Sequence, residues 1–228
     1  MFNYLIAIFF TSVISYLLGS VNFSIIITKR TKQHADIRTM GSGNAGFTNV
    51  LRSVGKIPAI LTILGDFSKG IIAILLGKLI FSSEFLFGNQ SSEIIQYGSY
   101  LAGFFCFLGH IYPCFFNFKG GKGIVTTVSI VWMIDWRVFA ISMGAFLVCL
   151  IFSRIVSLSS LIAAFTFVLS LSIINYFINY KIYSVSIRFV IISFVYSLII
   201  FLFILYSHRS NISRLLNGTE KKLKIKKN

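Results

Sequence analysis

The sequence predicts an all-α integral membrane protein, a single bundle of about seven transmembrane helices whose glycine-rich motif loops face the cytoplasm. Three observations carry that reading. The 228-residue chain is 56% hydrophobic, with a mean hydropathy of +0.86. Charged residues make up 12% of it, against about a quarter in a soluble domain. Apolar runs recur from end to end at the length of about 17–25 residues that crossing a bilayer requires. The chain therefore reads as one transmembrane domain over residues 1–228, with a basic cytoplasmic tail at about 208–228.

Each span follows from the pattern in turn. Residues 3–28 form the first. They lack a basic start and a small-residue cleavage site, so they read as a helix that stays and not as a signal peptide. Residues 29–56 are a long polar connection. Span two covers 57–81 and is interrupted by Asp66 and Lys69. Charges inside a span are expensive and are retained as pairs or for function; either a structural pair or a direct substrate role fits these two. A short loop, 82–93, has no Lys or Arg. Span three covers 94–108. Span four, 124–134, is short for a full crossing unless the FKGGKG segment before it lies at membrane depth. Asp135–Trp136–Arg137 makes a tight turn into span five, 138–152. A polar break, SRIVSLSS at 153–160, precedes span six at 161–177 and span seven at 186–206.

Charge then orients the bundle. The net charge is +15. Lys29, Arg30, Lys32, Arg38, Arg52, Lys56, Lys119, Lys122, Arg154, Arg209, Arg214 and five lysines after residue 220 all fall on one side of a seven-span topology. Glu84, Glu93 and Asp135 fall on the other, with only Lys78, Arg137, Lys181 and Arg188 near them. The positive-inside rule places the N-terminus outside and the tail in the cytoplasm. This distribution accounts for the basic balance through topology and anionic lipid, so membrane lipids are the expected partners and nucleic acid is not. Cys106, Cys114 and Cys149 lie scattered in apolar stretches without paired spacing and read as free thiols. His34 and His110 carry little signal, and His110 at a helix end reads as structural.

Four polar segments could carry chemistry. In GSGNAGFTNVLR, residues 41–52, Gly41, Gly43 and Gly46 let successive N–H groups turn into one concavity, an anion-binding nest. Ser42, Thr48 and Asn49 add donors, and Arg52 a planar cationic fork. The plain alternative is a flexible connection; Arg52 and Lys56 tilt the reading toward an anion. FKGGKG, residues 118–123, is not a Walker A loop, because Gly123 stands at the Ser/Thr position. It precedes span four, whose helix N-terminus favours an anion beside Lys122. SRIVSLSS offers Ser153 and Arg154, which also fit interfacial snorkelling. HRSNISRLLNG, from residue 208, puts His208 and Asn211 on one helical face. A histidine there could orient or deprotonate a hydroxyl, or merely cap the helix.

Absences narrow the class. The residues five after His34, His110 and His208 are Thr39, Phe115 and Ser213, so the His-x-x-x-x-Asp pair of thioester-dependent acyltransferases is missing. There is no GxSxG elbow, no metal-ligand cluster and no cofactor motif.

Taken together the segments resemble a known family. GSGNAGFTNVLRSVGK is similar to that family's GSGNPGATNVLR-x-x-GK. GHIYPCFFNFKGGKGIVTT is similar to GH-x-FP-V-F-x-x-FKGGKGVAT, and SRIVSLSSLIAA to SRYVSLSSI. The family also carries DIR, here Asp36–Ile37–Arg38, D-x-x-KG, here from Asp66, and HR-x-NI-x-RLL-x-GTE, here from His208 to Glu220. It is the bacterial acyl-phosphate:glycerol-3-phosphate acyltransferase family, and the resemblance runs over most of the chain. Ala45 stands where the family has Pro, and Phe47 where it has Ala. Both changes leave the donors and charges intact, while the lost Pro relaxes the backbone.

The resemblance implies a multi-pass enzyme of phospholipid synthesis in the bacterial cell (inner) membrane. It would transfer a fatty acyl group from acyl phosphate to the sn-1 hydroxyl of glycerol 3-phosphate, giving lysophosphatidic acid and inorganic phosphate. A functional link to an acyl-phosphate-producing enzyme follows. Carried onto this chain, Ser42, Gly43, Asn44, Gly46, Thr48 and Asn49 would cradle acyl phosphate. Arg52, Lys122 and His208, with Ser153 and Arg154 as site-wall candidates, would hold glycerol 3-phosphate. Asn211 and His208 would act at the attacking hydroxyl. Acyl phosphate brings a good leaving group, so no enzyme nucleophile is needed. The alternative from another class is a phosphate-ester transporter using the same loops; short, acidic, glycine-poor outer loops disfavour it.

Overall fold

Over residues 2–32, 35–88 and 90–223, with only the backbone described at Phe85 and Leu86, the computed structural model holds eleven α-helices and no strand. His34 and the last lysines of the tail lie outside the described residues. Six stretches are long and apolar enough to cross a membrane: Phe2–Thr31, Lys56–Phe81, Ser92–Phe116, Trp136–Ser153, Val156–Tyr180 and Ile187–Ser207. The seventh, Ile124–Ile134, has 11 residues. At helical rise it covers about 17 Å, roughly half of the hydrocarbon core, so a full crossing requires the FKGGKG segment before it to lie at membrane depth as well.

The chain divides into two compact units, Met1–Ile134 and Asp135–Asn228. In the first, the opening span, expected as one helix, is broken. Helix α1 (Phe2–Ser20) ends and α2 (Phe23–Thr31) begins after two intervening residues. Asn22 caps α2: its side-chain oxygen accepts from the Ile25 amide at 3.2 Å and the Ser24 hydroxyl at 2.6 Å. A break at membrane depth leaves carbonyls that no water can satisfy. The Lys69 ammonium supplies the donors, reaching Gly19 O at 2.9 Å and Val21 O at 2.8 Å from α4 (Lys56–Phe81). Asp66, one turn earlier, sits 3.1 Å from that ammonium, and both side chains are buried. The two charges in span two are thus a structural pair that closes a broken helix.

His110 completes the cluster. Its Nδ1 lies 2.9 Å from the Lys69 Nζ. The same ring nitrogen lies 3.5 Å from the Asp66 carboxylate, so the imidazole packs against both members of the pair. His110 belongs to α6 (Ser92–Ile111), which packs closely on α1. Gly19 lies against the Cys106 main chain, and Gly109 against those of Tyr16 and Ser20, so a Cβ at either would strike backbone. This is small-residue packing of the kind membrane helices use. Between α2 and α4 lies α3 (Phe47–Ser53), and between α4 and α6 the single turn α5 (Glu84–Phe87). Helix α7 (Ile124–Ile134) closes the unit against α4 and α6.

The second unit starts at Asp135, whose carboxylate accepts the Arg137 amide at 2.8 Å and its guanidinium at 2.6 Å. Helices α8 (Trp136–Ser153) and α9 (Val156–Ile174) pack together. The polar break between them is only Arg154 and Ile155, with Arg154 left-handed at φ 58°. Ser157, Ser159 and Ser160 already lie inside α9, and the last two return hydroxyl bonds to Ile155 O and Val156 O. Helix α9 runs on into a wider π turn, Asn175–Tyr180. Helix α10 (Ile187–Ser207) leads to α11 (Arg209–Leu216).

Candidate active site

The first motif is half loop and half helix. Gly41 is left-handed at φ 57°, and a Cβ there would meet the Asn49 amide oxygen and the Ser53 hydroxyl. Asn49, on α3, is 3% exposed and organises everything before it. Its NH2 donates to Ile37 O, Met40 O and Asn44 O at 3.1, 2.9 and 3.0 Å, and its oxygen accepts the Ser42 amide at 3.0 Å. The Gly43 and Gly46 amides bond to Met40 O and Asn44 O. The N–H groups of Ser42, Gly43 and Gly46 are thus spent on shaping the loop, where the sequence suggested a row of open donors. Among the described residues, no partner takes the Ser42 or Thr48 hydroxyl. Arg52 is exposed and has no ion-pair partner among them either.

Ala45 and Phe47 point inward. Ala45 is fully buried in a cluster with Ile25, Ile37, Val50 and Ala59, and Phe47 packs against it. Phe47 therefore adds to the floor under the loop.

The lysine–glycine segment meets this loop directly. The Gly120 and Gly121 amides donate to Ile111 O and His110 O at 3.0 and 3.2 Å, folding the segment back on the end of α6. A Cβ on Gly121 would strike the His110 ring nitrogen Nε2 and Ala45 O. Only glycine lets the two motifs touch at that point. Lys122 is half-buried, two residues before the start of α7 at Ile124. Arg38 fastens the same two segments from another side: it donates to Phe116 O at 2.7 Å and Lys119 O at 3.2 Å. Asp36 holds that guanidinium by its Nε and Nη2, at 3.0 and 2.7 Å. Hydrogen bonds from Arg38, outweighing burial, hold the Asp36 carboxyl below the usual carboxylate range.

The second unit gathers Ser153, Arg154, His208 and Asn211 near the α8–α9 turn and the start of α11. Ser153 donates to Cys149 O at 2.7 Å and accepts the Ile155 amide at 3.1 Å, so its hydroxyl shapes the turn. The Arg154 side chain is exposed, and its carbonyl accepts the Leu223 amide at 2.7 Å. His208 is 2% exposed, with Nδ1 2.8 Å from Ile204 O. The carbonyl only accepts, so that ring nitrogen carries a proton. Asn211 donates to the Glu220 carboxylate at 2.7 Å. Sequence reasoning missed Glu220. It also accepts from the Ser157 hydroxyl at 2.9 Å and the Arg214 guanidinium at 2.6 Å. Burial pushes its carboxyl up, but the bonds from Arg214, Asn211 and Ser157 outweigh that and hold it below its usual value. The signal was the GTE that ends the last motif, an acidic residue in an otherwise basic tail. The stretch after α11 is accordingly bound back to its unit through residue 223 and is not wholly a free tail.

Comparison with known proteins supplies the decisive observation. The profile of a family described as glycerol-3-phosphate acyltransferase matches residues 9–218. The chain belongs to the glycerol-3-phosphate acyltransferase family. A glycerol-3-phosphate acyltransferase from Thermoanaerobacter pseudethanolicus is 39% identical over 213 residues, covering 93% of this chain and 94% of that one. One from Bartonella henselae is 38% identical over 210 residues, covering 92% and 89%. Two crystal structures of PlsY, an integral membrane glycerol 3-phosphate acyltransferase, share the fold of this acyltransferase. The glycerol 3-phosphate form superposes with a TM-score of 0.76 at 34% identity, covering 95% of this chain and 96% of that one. The lysophosphatidic acid form gives 0.73 at 33% identity, covering 95% of each. This protein is thus a multi-pass integral membrane acyltransferase of phospholipid synthesis.

Proposed function

We propose that the acyl donor is acyl phosphate and that the acyltransferase moves its fatty acyl group to the sn-1 hydroxyl of glycerol 3-phosphate. The products are lysophosphatidic acid and inorganic phosphate. The observation that carries this reading is the meeting of two glycine segments at Gly121 and Ala45. It puts the exposed Arg52 on one segment and Lys122 on the other within a single unit. A reaction between two phosphate-bearing substrates calls for cations and hydroxyl donors brought together in one place. That a solved relative has been crystallised in glycerol 3-phosphate and lysophosphatidic acid forms supports the acceptor and the product.

Ser42, Gly43, Asn44, Gly46, Thr48 and Asn49 are assigned to acyl phosphate. Ser42 and Thr48 contribute hydroxyls, and Asn49 and the glycines fix the loop that presents them. Arg52, Lys122, His208, Ser153 and Arg154 are assigned to glycerol 3-phosphate. Asn211, whose amide donates to Glu220, is assigned with His208 to orient the attacking hydroxyl. The hydroxyl oxygen forms a bond to the acyl carbon, the carbon–phosphate oxygen bond breaks, and the departing phosphate takes up the hydroxyl proton. No covalent enzyme intermediate is required. The chain, 1–228, works as a single acyltransferase domain in the bacterial inner membrane, N-terminus outside and C-terminus in the cytoplasm. It depends on an enzyme that produces acyl phosphate.

Arg52→Ala and Lys122→Ala each test the site. Both proteins should insert normally. Acyl transfer should fall by at least about 100-fold, the scale expected when a charge-assisted hydrogen bond to the transition state is removed. Near-normal turnover in both would sink the assignment. Proteoliposomes loaded with labelled glycerol 3-phosphate separate this reading from transport, which would give net efflux without acylated product.

A further inference from the structure

The turn before the lysine–glycine segment is held in an unfavourable conformation. Asn117 and Phe118 are consecutive non-glycine residues in the left-handed region, at φ 56° and 55°. Asparagine tolerates that region; a phenylalanine there is an outlier that surrounding structure must enforce. The turn's own bonds are few. Phe116 and Phe118 both donate to Pro113 O at 3.0 Å, and Lys119 donates to Phe116 O at 3.3 Å. The remaining restraint comes from far away in sequence. Arg38 Nη1 donates to Phe116 O and to Lys119 O, the two carbonyls that flank the left-handed pair. The other face of the guanidinium is taken by Asp36, through Nε and Nη2, and Asp36 also accepts the Arg38 amide at 2.9 Å. Arg38 thus directs its donors to this chain's own carboxylate and carbonyls, and its charge is matched by a carboxylate two residues away.

We infer that Arg38, locked by Asp36, is a positioning residue for the substrate phosphate: it enforces the left-handed Asn117–Phe118 turn and so sets the direction in which Lys122 leaves Gly120 and Gly121. It acts without touching substrate. The inference rests on the reading of Lys122 as a ligand of glycerol 3-phosphate. Arginine is needed because one planar fork bridges two carbonyls and a carboxylate at once, which a lysine cannot do. It also gives the DIR residues, whose two charges are paired with each other, a reason to stand beside the anion loops.

Steady-state kinetics on the full-length enzyme test it. Arg38→Gln should raise KM for glycerol 3-phosphate by roughly tenfold or more while kcat changes by less than about threefold. Arg38→Lys, which keeps the charge, should behave alike and serves if the glutamine variant fails to insert. Adding Phe118→Gly to the Arg38→Gln background should recover most of the affinity, because glycine enters the left-handed region without steric cost. A KM unchanged in both Arg38 variants overturns the inference. So does a double variant no better than Arg38→Gln, the result expected if Arg38 bound phosphate itself. Lys122→Met separates the two layers. If it raises KM and the Arg38 variants do not, positioning fails alone; if it leaves KM unchanged, the assignment of Lys122 fails and the inference with it.

Discussion

Asn49 spends three donor bonds and one acceptor bond on the loop that it closes. Replacing it by Asp turns donors facing three carbonyls into acceptors, at about 1–3 kcal/mol for each group left unsatisfied. Asn49→Asp should therefore lower acyl transfer by roughly 100-fold or more, with the loss read in acyl-phosphate KM as well as turnover. A variant within threefold of the parent would show that the loop needs no such clasp. Glu220 makes a second residue-scale prediction. Its folded carboxyl titrates below the ordinary value of 4.5, so its bonds add stability that is present above that value and is lost as pH falls below it. The difference in unfolding midpoint between parent and Glu220→Gln should be constant from about pH 7 to about pH 5 and shrink in more acid solution. A difference that grew in acid would contradict the geometry. Sequence reasoning named Asn49 and Asn211 by type but expected both to face substrate. Each turns an amide inward, and an asparagine's partners become visible only once the chain is folded.

At the scale of elements, the spans were legible because a bilayer imposes a length and a polarity that composition cannot hide. Span four, 124–134, matches α7 end to end. The break between α1 and α2 was missed although Ser20, Asn22 and Ser24 interrupt the apolar run and asparagine is a favoured cap; the compensating donor, Lys69, lies dozens of residues later. That same hydrogen bond decides the role of Asp66 and Lys69, for which the sequence allowed two readings. Removing one partner of a buried pair costs about 3–5 kcal/mol. Lys69→Met should then depress the thermal midpoint of the detergent-solubilised enzyme strongly, since it also orphans Gly19 O and Val21 O. If Lys69→Met melts like the parent, the pair is not what closes the broken helix. The π turn at Asn175–Tyr180 has no sequence signature that we can identify.

At the scale of the whole molecule, charge asymmetry predicts orientation, and cysteine accessibility checks it. In a cysteine-free background, Asn217→Cys should resist an impermeant thiol reagent in intact cells and react after permeabilisation, while Lys181→Cys reacts in both. The opposite pattern would invert the bundle and put the anion loops on the wrong face for glycerol 3-phosphate. The chemistry is tested more directly. Purified protein given palmitoyl phosphate and glycerol 3-phosphate should form lysophosphatidic acid and release phosphate one for one, and should form none from palmitoyl-coenzyme A. Equal or faster product from the thioester would contradict the proposal that acyl phosphate is the donor.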